Sequence, residues 1–307
     1  MLKDSKPGSR LAALVLLVPG FGIFISLLGF LLSIPFIDGN FLAIISQMSA
    51  MKTEQDINLM KFFQIITQFG FFLIPSLVFG FLVQKNIRSF FNLKHLPSFL
   101  LTLLGILIIF LSNPFNEWLV YQNNQMNLPG FLSHWETWMR EAEEAAAIAT
   151  NKFLEMDDFS DYLLNIFMIG IMAALGEELL FRGAAQPLLI NIFKNPHIGI
   201  WLVAILFSII HFQFYGFFAR MFLGAILGYS YYYTKNLWVP IIAHFFNNSL
   251  AVTYVYLSKE PLYNTSQGII EIEKVNTLYA LISFSLVVLG FVIMRYYTLK
   301  SGINYKE

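Results

Sequence analysis

Cysteine is absent from the 307 residues, which excludes disulfides and any Cys-ligated metal and leaves the redox compartment unspecified. Charge is scarce as well. Only 12% of residues are Asp, Glu, Lys or Arg, with 19 of each sign, against roughly a quarter charged in an ordinary soluble domain. No basic block runs along the chain, so nothing points to nucleic acid as a partner. There is no internal repeat and no H-E-x-x-H zinc-protease spacing. What remains is apolar: 57% hydrophobic residues, 33 of them Phe, and a mean hydropathy of +0.64. That composition points to a membrane protein before any segment is inspected.

A helix needs about 20 apolar residues to cross a bilayer. Runs near that length and free of charge lie at 11–37, 62–84, 96–116, 198–219, 236–258 and 275–294. Two shorter runs complete the set. Residues 162–176 reach span length only if the helix continues through Glu177 and Glu178, and 221–234 are compact and Gly-rich. The expectation is an all-α, polytopic bundle of about eight transmembrane spans, with the sixth the weakest. The first run is too long for a signal-peptide core of about 7–15 residues, so a retained first span is expected, and with it a multi-pass protein of the cell membrane contacting lipid.

Lysine and arginine in the short loops set orientation. With the N-terminus inside, Lys3, Lys6, Arg10, Lys85, Arg88, Lys94, Arg182, Lys194, Lys235, Lys300 and Lys306 fall on the inner side. The longer outer segments hold only Lys52, Arg140, Lys152, Lys259 and Lys274, while Lys61, Arg220 and Arg295 lie at span edges. N-in and C-in follows. The chain divides into N-terminal spans and an outer loop (1–160), a core (160–255), and a last span with a cytosolic tail (256–307). Within the outer segment 117–160, residues 138–147 are helix-prone and acidic. They read as a solvated loop helix, or alternatively as a lid or substrate-guiding element at the interface.

Three groups of polar residues stand where hydrocarbon is expected: Glu177, Glu178 and Arg182; Phe207 with His211; His244 with Asn247 and Asn248. Ionisable groups within spans are expensive and mark functional sites by default. Residues four apart share a helical face, so Glu178 and Arg182 can pair while Glu177, about 100° away, stays free to accept a proton. Burial moves a carboxyl toward the range useful to a general base. His211 reads as lying well inside the fifth span, with Phe207 one turn earlier as a packing group. His244 and Asn248 share a face and can donate to a developing oxyanion, and Asn247 is the weaker candidate. Pro240 sits four residues before His244 and loosens the early turns of that helix. Each group alone could equally be structural, as a cluster at the membrane edge or as polar stitching between helices. A rise of about 1.5 Å per residue puts the groups at comparable depth in the cytosolic half, so one shared pocket is the expectation.

At these residues the chain resembles the CAAX-protease and bacteriocin-processing (CPBP, or Abi) family of intramembrane endopeptidases, marked by EExxxR, FxxxH and HxxxN on successive helices. Glu177-Glu178 with Arg182, Phe207 with His211, and His244 with Asn248 match all three in order. Gly224, Gly228 and the 237–240 stretch before His244 are similar too, and the resemblance covers about residues 160–255. It implies an intramembrane hydrolase that cleaves a peptide bond in a membrane-associated, lipidated or unlipidated substrate. By the same resemblance Glu177 and His211 activate the attacking water, His244 and Asn248 stabilise the oxyanion, and Glu178, Arg182 and Phe207 support them. Some relatives act in bacteriocin self-immunity or as membrane scaffolds without proteolysis, which is the alternative reading. Zn²⁺ held by Glu177, His211 and His244 with an open position for water and a metal-free glutamate mechanism both stay open, the family's usual classing favouring the metal.

Overall fold

A computed structural model describes residues 2–34, 53–263, 265–266, 269–270 and 275–302. The expected end of the first run at 35–37, together with Lys52, Lys274 and Lys306, lies outside the described residues. The architecture is helical: α1 (Pro7–Ser33), α2 (Glu54–Val83), α3 (Phe99–Asn124), α4 (Ser133–Phe153), α5 (Phe159–Phe193), α6 (Pro196–Ile209), α7 (Phe217–Thr234), α8 (Trp238–Ser258) and α9 (Thr277–Lys300). Its one described strand pairing is a two-residue antiparallel match of Thr265–Ser266 with Ile269–Ile270.

Sequence-encoded caps set several helix starts. Thr53 and Asp56 form a reciprocal capping box at α2, satisfying two of the backbone N–H groups that a helix start leaves unpaired. Asp158 accepts from the Ser160 and Asp161 amides at α5. Asn195 does the same for α6, where Pro196 fills the position at which its missing N–H does no harm. At the other ends, Lys194, Lys235 and Lys259 close α5, α7 and α8 in the left-handed conformation.

Burial ranks the helices. Of the most apolar stretch of each, 61% is buried in α5, against 11% in α1 and 22% in α9. Helix α5 is therefore the axis, and α1 and α9 form the rim. Leu16 on α1 (73% exposed) and Val292 on α9 (60%) belong to apolar faces that water would not tolerate, and lipid supplies their environment. One core cluster joins Phe79, Phe91, Leu179, Phe181, Val203, Phe207 and Leu237 around α5. A second joins α3, α7, α8 and α9 through Ile108, Leu227, Ala243 and Val287.

Five helices (α1, α2, α3, α5 and α9) are long and apolar enough to cross a membrane. The other three expected spans form as α6, α7 and α8, so the figure of eight holds only approximately. Helix α6 has 14 residues and reaches only about 20 Å, short of a bilayer core of about 30 Å. The fourth run does continue through Glu177 and Glu178, as α5. Arg182 lies on α5 with 0% exposure and so drops out of the inner-loop charges. Arg220, expected at a span edge, stands in the first turn of α7.

The fifth expected span needs a larger correction. Residues 198–219 are not one helix, because α6 stops at Ile209 and α7 begins at Phe217. His211 thus sits in the intervening turn rather than well inside a span. Phe212, in the left-handed region at φ 51°, reverses the chain, and neighbouring side chains take up backbone groups that a helix would have paired. Ser208 donates to the Phe217 carbonyl, Arg220 donates to the Gln213 carbonyl, and Asn123 accepts the Phe218 amide.

Candidate active site

Helix α5 carries two π-helical stretches, Ile166–Met172 and Leu179–Ala185, which flank Glu177 and Glu178. A π turn widens the helix locally and re-aims side chains, and such turns recur at functional sites. Between them the two carboxyls diverge. Glu178 is fully buried and its Oε1 accepts from Arg182 Nη1 at 2.7 Å and from His244 Nδ1 at 2.9 Å. Arg182 also donates through Nη2 to the Gly224 carbonyl of α7 at 2.9 Å. Gly224 lets α6 and α7 approach closely there, since an added Cβ would lie 3.1 Å from the Ala204 Cα of α6 and that backbone would have to give by a few tenths of an ångström. One turn further along α5, Gln186 Nε2 reaches the Gly228 carbonyl at 3.0 Å.

Glu177 keeps 8% of its side chain exposed and, among the described residues, makes no side-chain hydrogen bond; its Oε2 faces His244 Nε2 across 4.0 Å. His244 is 3% exposed, so one imidazole connects the two glutamates, one edge bonded to Glu178 and the other open toward Glu177. Because a carboxylate only accepts, Nδ1 carries a proton. His211 is anchored similarly, its Nδ1 donating to the Phe207 carbonyl at 2.7 Å, which leaves Nε2 as its free edge. His211 also lies within electrostatic reach of Glu177, His244 and Arg220.

Phe207 packs at the centre of these groups. Its ring lies 5.0 Å from that of His211, 6.1 Å from that of His244 and 4.7 Å beneath the Arg182 guanidinium. A buried cation over a ring adds about 2 kcal/mol, holding Arg182 on the side facing Glu178.

Asn248 departs from the role expected of a free donor, since its Nδ2 donates to the Ile169 carbonyl within the first π stretch at 2.9 Å. Asn247 Nδ2 in turn donates to Asn248 Oδ1 at 3.2 Å, so the weaker candidate orients the stronger. An amide nitrogen has two hydrogens, and Asn248 retains the second.

The structure thus gathers Glu177, Glu178, Arg182, Phe207, His211 and His244 in one cluster, with Asn248 fixed to α5 at Ile169, about two turns before Glu177. Among the described residues no three His, Asp or Glu side chains converge closely enough to hold a metal ion. The Glu178–His244 bond, the Gly224 carbonyl and the clasp of Glu143 and Arg220 on the His211 turn, where the Tyr215 amide donates to Glu143 Oε2 at 3.0 Å, are absent from the sequence reading. No local spacing signals them, because each joins residues far apart in the chain.

Comparison with known proteins matches this same stretch. Residues 159–250 fit the family model described as type II CAAX prenyl endopeptidase Rce1-like. This segment resembles that family, over less than half of the chain. The Rce1-like segment runs from the start of α5 into α8, carries every residue of the cluster, and is consistent with the CPBP resemblance. The chain is similar to the membrane-embedded CAAX protease MroQ of Staphylococcus aureus (strain USA300), at 30% identity over 107 residues, which is 33% of this chain and 43% of that protein. It is also similar to the protein YpbD of Bacillus subtilis (strain 168), at 33% identity over 85 residues, which is 26% of this chain and 40% of YpbD. The chain therefore spans about two fifths of the length of these relatives. No solved structure gives a match. The apolar helices, together with this likeness to a membrane-embedded protein, make the chain a multi-pass membrane protein.

Proposed function

We propose that the protein is an intramembrane endopeptidase in which Glu177 activates water for attack on a peptide bond. The carrying observation is the asymmetry of the two glutamates, with Glu178 engaged by Arg182 and His244 while Glu177 Oε2 stands 4.0 Å from His244 Nε2. Two ordinary hydrogen bonds of about 2.8 Å close such a gap at about 90°, so one water oxygen can be held by both groups. With Nδ1–H held by Glu178, a doubly protonated His244 would donate Nε2–H to that oxygen while the water donates to Glu177. The free Nε2 edge of His211 completes the water's orientation.

As the water oxygen bonds to the peptide carbon, its proton passes to Glu177 and the carbonyl electron pair moves onto oxygen. His244 Nε2–H and the second Asn248 N–H stabilise that oxyanion. When the C–N bond breaks, the Glu177 carboxyl returns the proton to the leaving amine. If Zn²⁺ takes part, Glu177, His211 and His244 are the residues that would hold it and it would polarise the water. Their present arrangement is not a three-ligand set, and no step here passes through it.

The relatives' descriptions support a substrate ending in a CAAX sequence with a lipidated cysteine. The test uses purified protein in proteoliposomes with a farnesylated CAAX peptide and its unfarnesylated counterpart. Release of the C-terminal tripeptide from the farnesylated peptide, abolished by Glu177→Ala with membrane insertion retained, is the expected result. Wild-type turnover by the Glu177→Ala variant removes Glu177 as the base. Failure of the wild-type protein to cleave either peptide counts against the CAAX-type substrate and favours a scaffold or immunity role.

A further inference from the structure

Outside the motif residues, one carboxylate is buried against the turn that carries His211. Glu143, on the outer helix α4, is 7% exposed, whereas Glu141 two residues earlier faces solvent. Glu143 Oε2 accepts the Tyr215 amide at 3.0 Å and its Oε1 lies 3.9 Å from Arg220 Nη2. Arg220 Nη1 reaches back to the Gln213 carbonyl at 2.9 Å. Residues 213 and 215 are thus held from both sides, by the hydrogen bond that the Tyr215 amide donates to Glu143 and by Arg220, which Glu143 itself faces as counter-ion.

Ring contacts repeat the clasp. Arg140 lies over the Tyr215 ring at 4.6 Å and is fixed by two hydrogen bonds to Glu136 Oε1, at 2.8 and 3.2 Å. The Trp138 and Phe214 rings stand 5.2 Å apart. Helix α4 therefore grips the turn 210–216 at Phe214 and Tyr215. That turn has no helical ladder of its own, and it sets the position of the His211 imidazole, which among the described residues hydrogen-bonds only to the Phe207 carbonyl.

We propose that Glu143 is a positioning residue for the hydrolytic site, acting through the Tyr215 amide and Arg220 to fix the turn and so the free edge of His211. This rests on the proteolytic reading for its consequence in catalysis, but the coupling of α4 to His211 stands on geometry alone. A displacement of about 1 Å in a catalytic group costs about 10²-fold in rate, which sets the scale expected if the clasp is opened.

The test compares full-length wild type, Glu143→Ala, Glu143→Gln and the solvent-facing control Glu141→Gln in proteoliposomes. Diethylpyrocarbonate labelling of individual histidines, read by mass spectrometry, reports the environment of His211 directly, with the exposed His95, away from α4, as an internal reference. Glu143→Ala is expected to change the His211 labelling rate severalfold while His95 stays near wild type and the protein remains folded by circular dichroism. Glu143→Gln keeps an acceptor for the Tyr215 amide and should restore most of the wild-type rate. On the farnesylated peptide, Glu143→Ala should lower kcat by about 10²-fold with KM little changed, and Glu141→Gln should match wild type.

Wild-type labelling of His211 in the folded Glu143→Ala protein overturns the proposal, as does an equal change at every histidine. If His211 responds to Glu143 but wild type cleaves no peptide, the coupling holds and the proteolytic reading fails. If cleavage depends on Glu177 but not on Glu143, the reverse follows.

Discussion

Glu178 Oε1 takes two charged or chargeable donors, Arg182 and His244, in a place with no exposure to solvent. Removing one partner of such a buried pair strands the other and is destabilising by about 3–5 kcal/mol. Arg182→Ala should therefore lower the melting temperature of the detergent-solubilised protein markedly. Arg182→Lys should recover little, because a single ammonium cannot serve both Glu178 and the Gly224 carbonyl in the guanidinium's geometry. A melting temperature unchanged by Arg182→Ala contradicts the pairing. Asn248→Ala should lower kcat by about 10²–10³-fold through the lost oxyanion donor, and stability by about 1 kcal/mol because the Ile169 carbonyl loses its partner. A change confined to KM contradicts the oxyanion role. The pairing of Glu178 with Arg182 is legible in the sequence because it is four residues long. The bond from His244 to Glu178 is not, since 66 residues separate them and only tertiary packing brings them together.

The helices were legible by hydropathy, but their internal irregularities were not. Period-counting reads 198–219 as one span because Phe212, Phe214 and Tyr215 are as apolar as a helix interior, and only Gln213 and Gly216 hint at the turn. The two π stretches of α5 leave even less trace, because widening a helix by one residue changes no letter. Each contains a glycine packed against a close neighbour: a Cβ on Gly183 would stand 2.4 Å from the Phe91 ring, and one on Gly170 would stand 2.8 Å from Ser249 Oγ. Gly183→Ala should accordingly destabilise by about 1–3 kcal/mol through overpacking, and a neutral effect in thermal unfolding contradicts that packing. For α4, burial holds the Glu143 carboxyl above its ordinary range despite the opposing Tyr215 amide and Arg220. A folded-state pKa raised in this way means the docked helix binds the proton more tightly than the released one. Docking then strengthens as pH falls from the raised value toward the ordinary carboxylate range, and weakens as pH rises. Amide exchange across 210–216, corrected for intrinsic rate, should slow on acidification over that window, and faster corrected exchange contradicts it.

At the scale of the molecule, α5 forms an axis wrapped by α2, α6 and α8, with α1 and α9 presenting apolar faces outward. The cluster sits inside this bundle, much of it on a helix whose central stretch is mostly buried, and α4 contacts the turn that carries His211. Orientation rests on loop charge alone, and the absence of cysteine makes it simple to test. Glu141→Cys on α4 should react with an impermeant thiol reagent added to intact cells, whereas Lys94→Cys should react only after permeabilisation; the opposite pattern inverts the topology. The central claim is that Glu177 drives hydrolysis in this setting. Its most direct test maps peptide termini by mass spectrometry in membranes from cells carrying the wild-type chain or Glu177→Ala at equal abundance. New termini that depend on the wild-type protein and vanish in the variant are predicted, and identical termini in the two membranes contradict it.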